Sequence, residues 1–533
     1  MGSRGSGGTV EEREVEASPG RPDPSRVSAT RGRLALAGAI AGVVGVVLSE
    51  AAAAALRTDS GPVEAVAAGV RDLTPGPLAI FLIHLVGHLD KPLLIAGTAV
   101  VLLGICAYAA TWAVRRPVVP DVVFFALAAL GMIAVLRQPE PPIGAVLAVV
   151  VGLIGWVVTL RFLVAPLVEP VRQRPGETGD ASRRAFLVRS VTVVAGAAVV
   201  GVAGRWASSG RRQVEQARKL LRLPVKRGVE PAGVSVGVKG VAPWRTPADE
   251  FYIIHTAIAP PSISPEQWQL RIHGMVENEI TIDYQDLIKR PIVEDWITLC
   301  CVSNEVGGDL IGNAFWSGVP IRDLLAAAKP KPGADAVKQT SKDGWNCGTP
   351  LTALTDPSRQ AMLAIAMNGK PLPVQHGFPV RMVVPGLYGF VSATKWVVDL
   401  EVTTMDKVHA YWTQRGWSPR GPVKTQSRID VPGNGATVKS GTLRVGGSAW
   451  AQHTGIEKVE YQLDGGAWQT AELGRVPGAD TWVQWAGTVD VDQGEHRIFV
   501  RATDTTGYTQ TSVKAGVIPD GATGWHSRPF TAT

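Results

Sequence analysis

Hydropathy divides the chain in two before any motif is read. Up to about residue 205, Ala, Val, Leu and Gly run between short charged clusters; beyond it, polar and apolar positions mix as they do in water-soluble domains. In the first half, apolar stretches occupy about 34–56, 92–114, 118–136 and 143–165, and the second of these contains no charged residue. A helix needs roughly 20 such residues to cross a bilayer, so the pattern predicts a four-helix transmembrane region over 33–165. The run 78–89 is shorter and stops at Asp90-Lys91-Pro92, which suits an interfacial or re-entrant piece. Residues 1–32 hold almost no large apolar side chains and read as a disordered tail, because nothing in them can bury a core.

Past the membrane half, residues 207–248 are basic and rich in Pro and Gly, and read as a linker. Ordered sequence is expected from Asp249. Trp268 to Gly274 alternates apolar and polar positions like a half-buried strand, and Ile297 to Gly308 is a strand-like run ending in a Gly-rich turn. From about 421 the text is all-β: Leu443-Arg444-Val445, Val459 to Leu463 and Ile498 to Ala502 alternate, and Asp464-Gly465-Gly466 signals a hairpin. Strands recurring between such turns suggest an immunoglobulin-like sandwich over 421–533. In it, Trp450, Trp468, Trp482 and Trp485 read as core or interface aromatics.

Charge changes the picture by giving the membrane half a direction. Arg26, Arg31 and Arg33 precede the first stretch, Arg115 and Arg116 join the second to the third, and Arg161, Arg172, Arg174, Arg183, Arg184 and Arg189 follow the fourth. Loops 57–77 and 137–142 are poorer in Lys and Arg and include Asp59, Glu64, Asp72 and Glu140. By the positive-inside rule the N-terminus is cytoplasmic. A fifth, weaker apolar segment lies within 182–206, preceded by Ser182-Arg183-Arg184-Ala185-Phe186-Leu187. That hexapeptide is similar to a twin-arginine export signal, and equally fits a stop-transfer flank with two arginines. Both readings run the segment outward and leave everything after about 206 on the extracytoplasmic side. The formal net charge of +7 therefore reflects membrane flanks, and excludes a nucleic-acid footprint better than it supports one.

Four cysteines are too few for a disulfide framework. Cys106 lies in an apolar run and reads as a small buried hydrophobe. Cys300, Cys301 and Cys347 form no CxxC or CxxCH pattern, so iron–sulfur, zinc-ribbon and c-type haem ligation lack their usual spacing. His84 and His88, one helical turn apart, have no opposing histidine in the membrane half, and no haem b held by this chain alone is expected. Adjacent Cys300 and Cys301 leave three readings open: a strained vicinal disulfide, two packing thiols, or one thiolate ligand. Strand alternation sends them to opposite faces, so at most one enters a site. A thiolate before Asn and paired Gly is placed for close approach to a bulky metal cofactor.

Two blocks give this a family. Cys301-Val302-Ser303-Asn304, Gly307-Gly308, Gly312-Asn313-Ala314 and Trp316-Ser317-Gly318-Val319-Pro320 resemble the molybdenum-cysteine region of the sulfite oxidase family. Met367 to Pro373, His376-Gly377-Phe378-Pro379-Val380-Arg381, Val384-Pro385-Gly386, Tyr388-Gly389 and Thr394-Lys395-Trp396 resemble its second motif block. The resemblance covers about 249–533. It implies a multi-domain fold: an α-helical transmembrane bundle, an α+β molybdopterin-binding catalytic domain over 249–412, and the all-β sandwich, which mediates dimerisation in that family. It implies Cys301 as the metal ligand, and His376, Arg381 and Lys395 as the grip on the pterin and its phosphate, with the amides of Ala393 and Thr394 assisting. A dianion does want a guanidinium fork, a second cation and an imidazole donor. Sulfite-oxidising relatives carry Phe-x-Arg-Asn-His where this chain has Phe251-Tyr252-Ile253-Ile254-His255. Tyr252, Ile253 and His255 are expected to line the pocket, and Ile253 in place of arginine argues against sulfite. Cys347 is unplaced, a core thiol or a pocket residue.

The expected protein is thus a membrane-embedded molybdenum oxidoreductase carrying molybdopterin, acting on a small-molecule substrate and exchanging electrons with a separate redox partner. Two alternatives remain at this stage: an S-oxide or N-oxide reductase fed by a membrane haem partner, and a cofactor-less tethered binding protein that keeps the fold.

Overall fold

The computed structural model describes residues 24–56, 58, 61–75, 78, 89–138, 143–168, 180–207 and 210–533. His84, His88 and most of the short run 78–89 lie outside them. The apolar N-terminal part folds as helices α1 (Pro24–Ala55), α2 (Pro62–Leu73), α3 (Asp90–Ala110), α4 (Val118–Leu136), α5 (Ile143–Val168) and α6 (Asp180–Ala207). Five contain a segment long and apolar enough to cross a membrane: Arg31–Ala55, Asp90–Ala110, Val118–Leu136, Ile143–Pro166 and Arg184–Val202. Cys106 is fully buried in this bundle, as expected. Close approach of α1 and α5 rests on glycine. A Cβ at Gly45 would collide with Trp156, and one at Gly152 would come within 2.9 Å of the Ser49 Cβ. Small residues at such crossings let backbones and side chains interlock where lipid offers no hydrophobic drive. The Trp156 Nε1–H donates to the Gly42 carbonyl at 3.1 Å.

The expectations need three corrections here. Helix α1 starts at Pro24 rather than at 33; proline at a first helical position has its φ already set, and no breaker separates it from the apolar run. Residues 62–73, expected as loop, form α2, with apolar positions spaced along one face and Pro62 at its start. The linker 207–248 is largely packed. It opens with α7 (Gly210–Leu220), whose Val214 enters a core with Ile297, Ala314 and Trp316, and continues as irregular chain to Trp244, which is 2% exposed. The isolated apolar residues in that basic text are what dock it.

The catalytic unit contains two sheets. One has the order β2 (Ile280–Asp283), β1 (Gln269–Gly274), β10 (Val397–Thr403), β5 (Ala336–Ser341), β6 (Asn346–Pro350), with β1 and β10 parallel. The other runs β3 (Val293–Cys300), β4 (Ile311–Pro320), β7 (Met362–Met367), β8 (Lys370–Pro371), with β9 (Arg381–Val383) also on β7. Their shared core holds Trp268, Leu270, Ile272, Leu363, Ile365 and Leu400. The hydrophobic alternation read at 268–274 is β1.

The C-terminal part is an all-β sandwich. A four-stranded sheet, β11 (Gln426–Val431), β13 (Gly441–Trp450), β17 (Val483–Val491) and β16 (Glu472–Leu473), faces a five-stranded one. The latter has the order β12 (Ala436–Val438), β19 (His526–Ala532), β18 (Gly494–Asp504), β14 (Ile456–Leu463), β15 (Gln469–Thr470). The three predicted strands fall in β13, β14 and β18. The hairpin signal is a tight turn with Asp464 at φ 50° and Gly465 at φ 75°, the paired positive φ values that match strand twist. Trp485 is sandwich core, whereas Trp450 and Trp482 belong to a separate aromatic core shared with the catalytic unit. Trp468 instead stacks edge-on against Trp525, with the Arg501 guanidinium 4.2 Å above it.

Trp244 holds that shared core together. The Trp244 and Trp482 indoles donate to each other's backbone carbonyls at 3.2 and 2.8 Å, and Asn313 donates to the Trp244 carbonyl at 3.1 Å. Trp244→Ala is expected to cost about 3–5 kcal/mol, the usual range for truncating a buried aromatic, and to lower the thermal unfolding midpoint of the detergent-solubilised chain by several degrees or more.

Candidate cofactor site

The site begins where β3 ends. Cys300 points into the shared aromatic core, while Cys301, one residue on, lines an open cleft of about 820 Å³. Alternation in extended backbone separates the two thiols, and both are free. The turn that follows is braced by Asn304: its N–H donates to the Cys301 carbonyl (3.0 Å), and its Oδ1 accepts from the Leu310 N–H (2.9 Å). The Cys301 N–H donates to the Leu310 carbonyl at 2.9 Å. The asparagine of Cys-x-x-Asn thus fixes the cysteine rather than meeting a ligand. Gly307, at φ 77°, is pressed so closely against the His526 ring that any Cβ would collide with it.

Cations converge on the same cleft. Arg381, at the start of β9, is 4% exposed. It donates to the carbonyls of His376 (3.2 Å) and Met382 (3.3 Å), and its guanidinium lies 5.2 Å from the centre of the Trp316 ring. Lys395 donates to the Gln375 carbonyl at 2.9 Å. Neither has a carboxylate at ion-pair distance among the described residues. Burial, then the positive charge of Arg381 and Lys91, pushes the Lys395 amine well below its ordinary value; burial brings Arg381 down to about 10. Behind Arg381 is His376, whose Nε2 donates to the Ala248 carbonyl (3.0 Å) while its buried Nδ1 has no partner. Burial and the two cations hold that imidazole down to about 3, so it is neutral.

The far wall is the segment 251–257. Tyr252, Ile254 and His255 line the cleft; Ile253 does not, and is 41% exposed. Residues on both sides of it, Phe251 and Tyr252, then Ile254, His255 and Thr256, face the cleft. The expectation that Ile253 lines the pocket is corrected. Of the other expected residues, Cys301, Arg381, Ala393 and Lys395 line the cleft, and His376 and Thr394 sit directly behind it. Cys347 is a core thiol, fully buried on β6 with Sγ 3.4 Å from the Thr394 Oγ1.

Sequence reading missed several lining residues: Asp343, Trp345, Phe390, Trp396, Trp412 and Trp417. Trp396 was within a quoted motif; nothing in the sequence marks the others. It also missed Lys91 of α3, whose ammonium donates to the His255 Nδ1 and carbonyl, each at 2.9 Å. The same Nδ1 also lies 3.1 Å from the Ala257 carbonyl, so ammonium and carbonyl together fix the orientation of this ring. Arg71 of α2 donates to the Thr256 carbonyl, and the Tyr411 hydroxyl to Asp72 at 3.2 Å. The membrane half therefore touches the back of the cleft wall.

A thiol, two buried cations without anionic partners and an orphaned imidazole nitrogen around one cleft form a receptor for a bulky anion with a soft metal. Residues 256–412 match the family model described as the oxidoreductase molybdopterin binding domain. The sulfite oxidase of Gallus gallus is 30% identical over a match that takes in 52% of this chain and 71% of the relative. The chain belongs to the sulfite oxidase family of molybdopterin oxidoreductases. A Bacillus subtilis protein named as an uncharacterized oxidoreductase, YuiH, is also 30% identical over 34% of this chain and 87% of its own length. Against the mitochondrial sulfite oxidase of Homo sapiens the identity is 30% over 46% of this chain and 53% of the relative; the chain spans about half the length of the mammalian relatives it matches. The residues present fit the molybdopterin of this family. An unpaired buried guanidinium, a half-buried ammonium beside it and a partnerless buried ring nitrogen are costly unless an anion meets the cations and a donor meets the nitrogen.

His526 links the site to acid stability. Burial, with Arg528 and Arg428 adding, pushes it down to about 3, and its Nδ1 accepts from the Ile429 N–H at 2.9 Å. An unfolded histidine takes up its proton near pH 6.5, the folded one only near 3, so stability is lost as pH falls through that window. The slope is at most about 1.4 kcal/mol per pH unit. His526→Gln is expected to flatten the decline of thermal midpoint between pH 6.5 and 4 relative to the unaltered chain; parallel curves would refute the assignment.

Proposed function

We propose that the chain is a membrane-anchored enzyme that transfers an oxygen atom to or from a small, uncharged substrate, with the Cys301 thiolate as the protein's ligand to molybdenum. The observation that carries this reading is the cleft that joins Cys301 to Arg381 and Lys395, neither of which has a carboxylate at ion-pair distance among the described residues. The bound cofactor supplies two-electron oxygen-atom chemistry; the chain supplies position, charge and exclusion of water. Arg381 and Lys395 hold the anionic end of the pterin by charge-assisted hydrogen bonds, the backbone at Ala393 and Thr394 assists, and the His376 Nδ1 accepts from a donor of the pterin. The Tyr252 hydroxyl and the His255 ring offer polar groups on the far wall of the cleft, and Phe390, Trp412 and Trp417 exclude water at its aromatic wall. Position 253, arginine in sulfite-oxidising relatives, is an exposed isoleucine here. That supports a neutral S-oxide or N-oxide over sulfite as the second partner in the reaction.

In this reading residues 33–165 and 182–206 anchor the enzyme, 249–412 bind the cofactor on the extracytoplasmic side, and 421–533 form an immunoglobulin-like domain that pairs two chains. The arginine distribution and the five apolar helices support the anchoring and its direction.

Cys301→Ser is expected to retain pterin, measured by fluorescence after release from the purified chain. It should lose at least about 100-fold in turnover, beyond the usual cost of removing a supporting neighbour of a metal ligand. Equivalent loss in Cys300→Ser but not Cys301→Ser would overturn the ligand assignment. Arg381→Ala is expected to lower pterin and molybdenum content together, by about tenfold in affinity or more, since a hydrogen bond to a charged group contributes about 1.5–3 kcal/mol.

A further inference from the structure

A second cavity, of about 1530 Å³, lies where the membrane half meets the catalytic unit. Its walls are mostly apolar: Ala65, Ala68 and Gly69 of α2, Leu130 and Ile133 of α4, and Ile258 beyond the cofactor cleft. Leu130 and Ile133 belong to a span apolar enough to cross a membrane and are 54% and 50% exposed, so the chamber opens sideways toward lipid. Polar residues line it too: Glu64, Arg71 paired with Asp72 at 2.9 Å, Arg137, Lys342 and Asp343. Only the segment His255–Ala257 separates it from the cofactor cleft. Thr256 lines one cavity and Ala257 the other, Arg71 donates across to the Thr256 carbonyl, and Asp343 lines both.

We propose that this chamber binds a membrane quinone, placing its ring against the 255–257 segment so that electrons pass directly between quinone and cofactor. The inference rests on the molybdenum reading above. An isoprenoid tail suits the lipid-facing apolar walls; a ring carbonyl suits the Arg137 guanidinium, which lines the chamber and has no partner among the described residues. A phospholipid would satisfy the walls and the arginines, but gives no account of why the chamber ends one residue from a two-electron site. The balance is simple. A quinone takes two electrons from the reduced cofactor and two protons from water to become quinol; when substrate is being reduced, quinol gives up the same two electrons and two protons. No haem subunit is then required between membrane and metal.

Gly69 offers the test, because its Cβ position faces open space and Gly69→Trp can fill the chamber without touching the cofactor cleft. Decyl-ubiquinone and a short-tailed menaquinone are titrated into the full chain in nanodiscs, and binding is read at equilibrium. Saturable binding is expected, weakened about tenfold or more in Gly69→Trp and also in Arg137→Ala. Molybdenum content and turnover with a water-soluble redox dye should stay unchanged. Non-saturable uptake, affinity in the two variants unchanged from the unaltered chain, or retention of phospholipid that quinone does not displace would overturn the proposal. Loss of molybdenum or of dye-linked turnover in the unaltered chain would instead overturn the enzyme reading, so the two failures are distinguishable.

Discussion

The arrangement depends on one buried hydrogen-bonded junction behind Cys301. Thr298, on β3, receives the Trp482 N–H at its hydroxyl (2.8 Å), donates that hydroxyl to Asn313 (3.0 Å), and donates its own N–H to the Asp480 carbonyl (2.9 Å). Asn313 in turn holds Trp244. Strand, sandwich and the incoming 221–248 segment are locked at one place, three residues before Cys301. Buried polar groups joined in this way are costly to separate and define a single geometry. The sandwich is therefore a wall of the active unit, whatever else it pairs with: Arg428 also donates to the Gly308 carbonyl at 3.0 Å, and His526 fills the space over Gly307.

Behind the opposite wall of the cleft, the membrane half plays a comparable part. Lys91 fixes the His255 ring, Arg71 holds Thr256, and Arg415 reaches the Asp72 carbonyl at 3.3 Å. Helix α2 lies in a stretch that patterning left as loop, and its short amphipathic face is what makes this docking possible. An anchor that only tethered would not need to share hydrogen bonds with the wall of the site.

Much of the site was legible in sequence, for identifiable reasons. Strand alternation separated Cys300 from Cys301 without coordinates, and the motif blocks brought Arg381 and Lys395 to the cysteine. Ile253 failed because 251–257 is irregular backbone, where neighbours on both sides face the cleft and no period says which residue turns away. The aromatic wall of Trp345, Trp412 and Trp417 was illegible because a tryptophan in a loop carries no periodic signal. Lys91 was illegible because its partner lies 164 positions away.

The sequence alone determined where lipid-compatible helices run, which segments alternate as strands, and which residue types meet an anionic metal cofactor. Those are local properties, set by composition and by the periods of helix and strand. Only the tertiary structure decided that the basic stretch 207–248 is a packed strap, that the sandwich braces Cys301, and that an apolar chamber ends beside His255. Each depends on side chains meeting across long separations, where burial rather than pattern selects the partner. The feature read first, a lone thiolate at a strand end, thus owes its identity to the sequence and its rigidity to contacts that no local pattern contains.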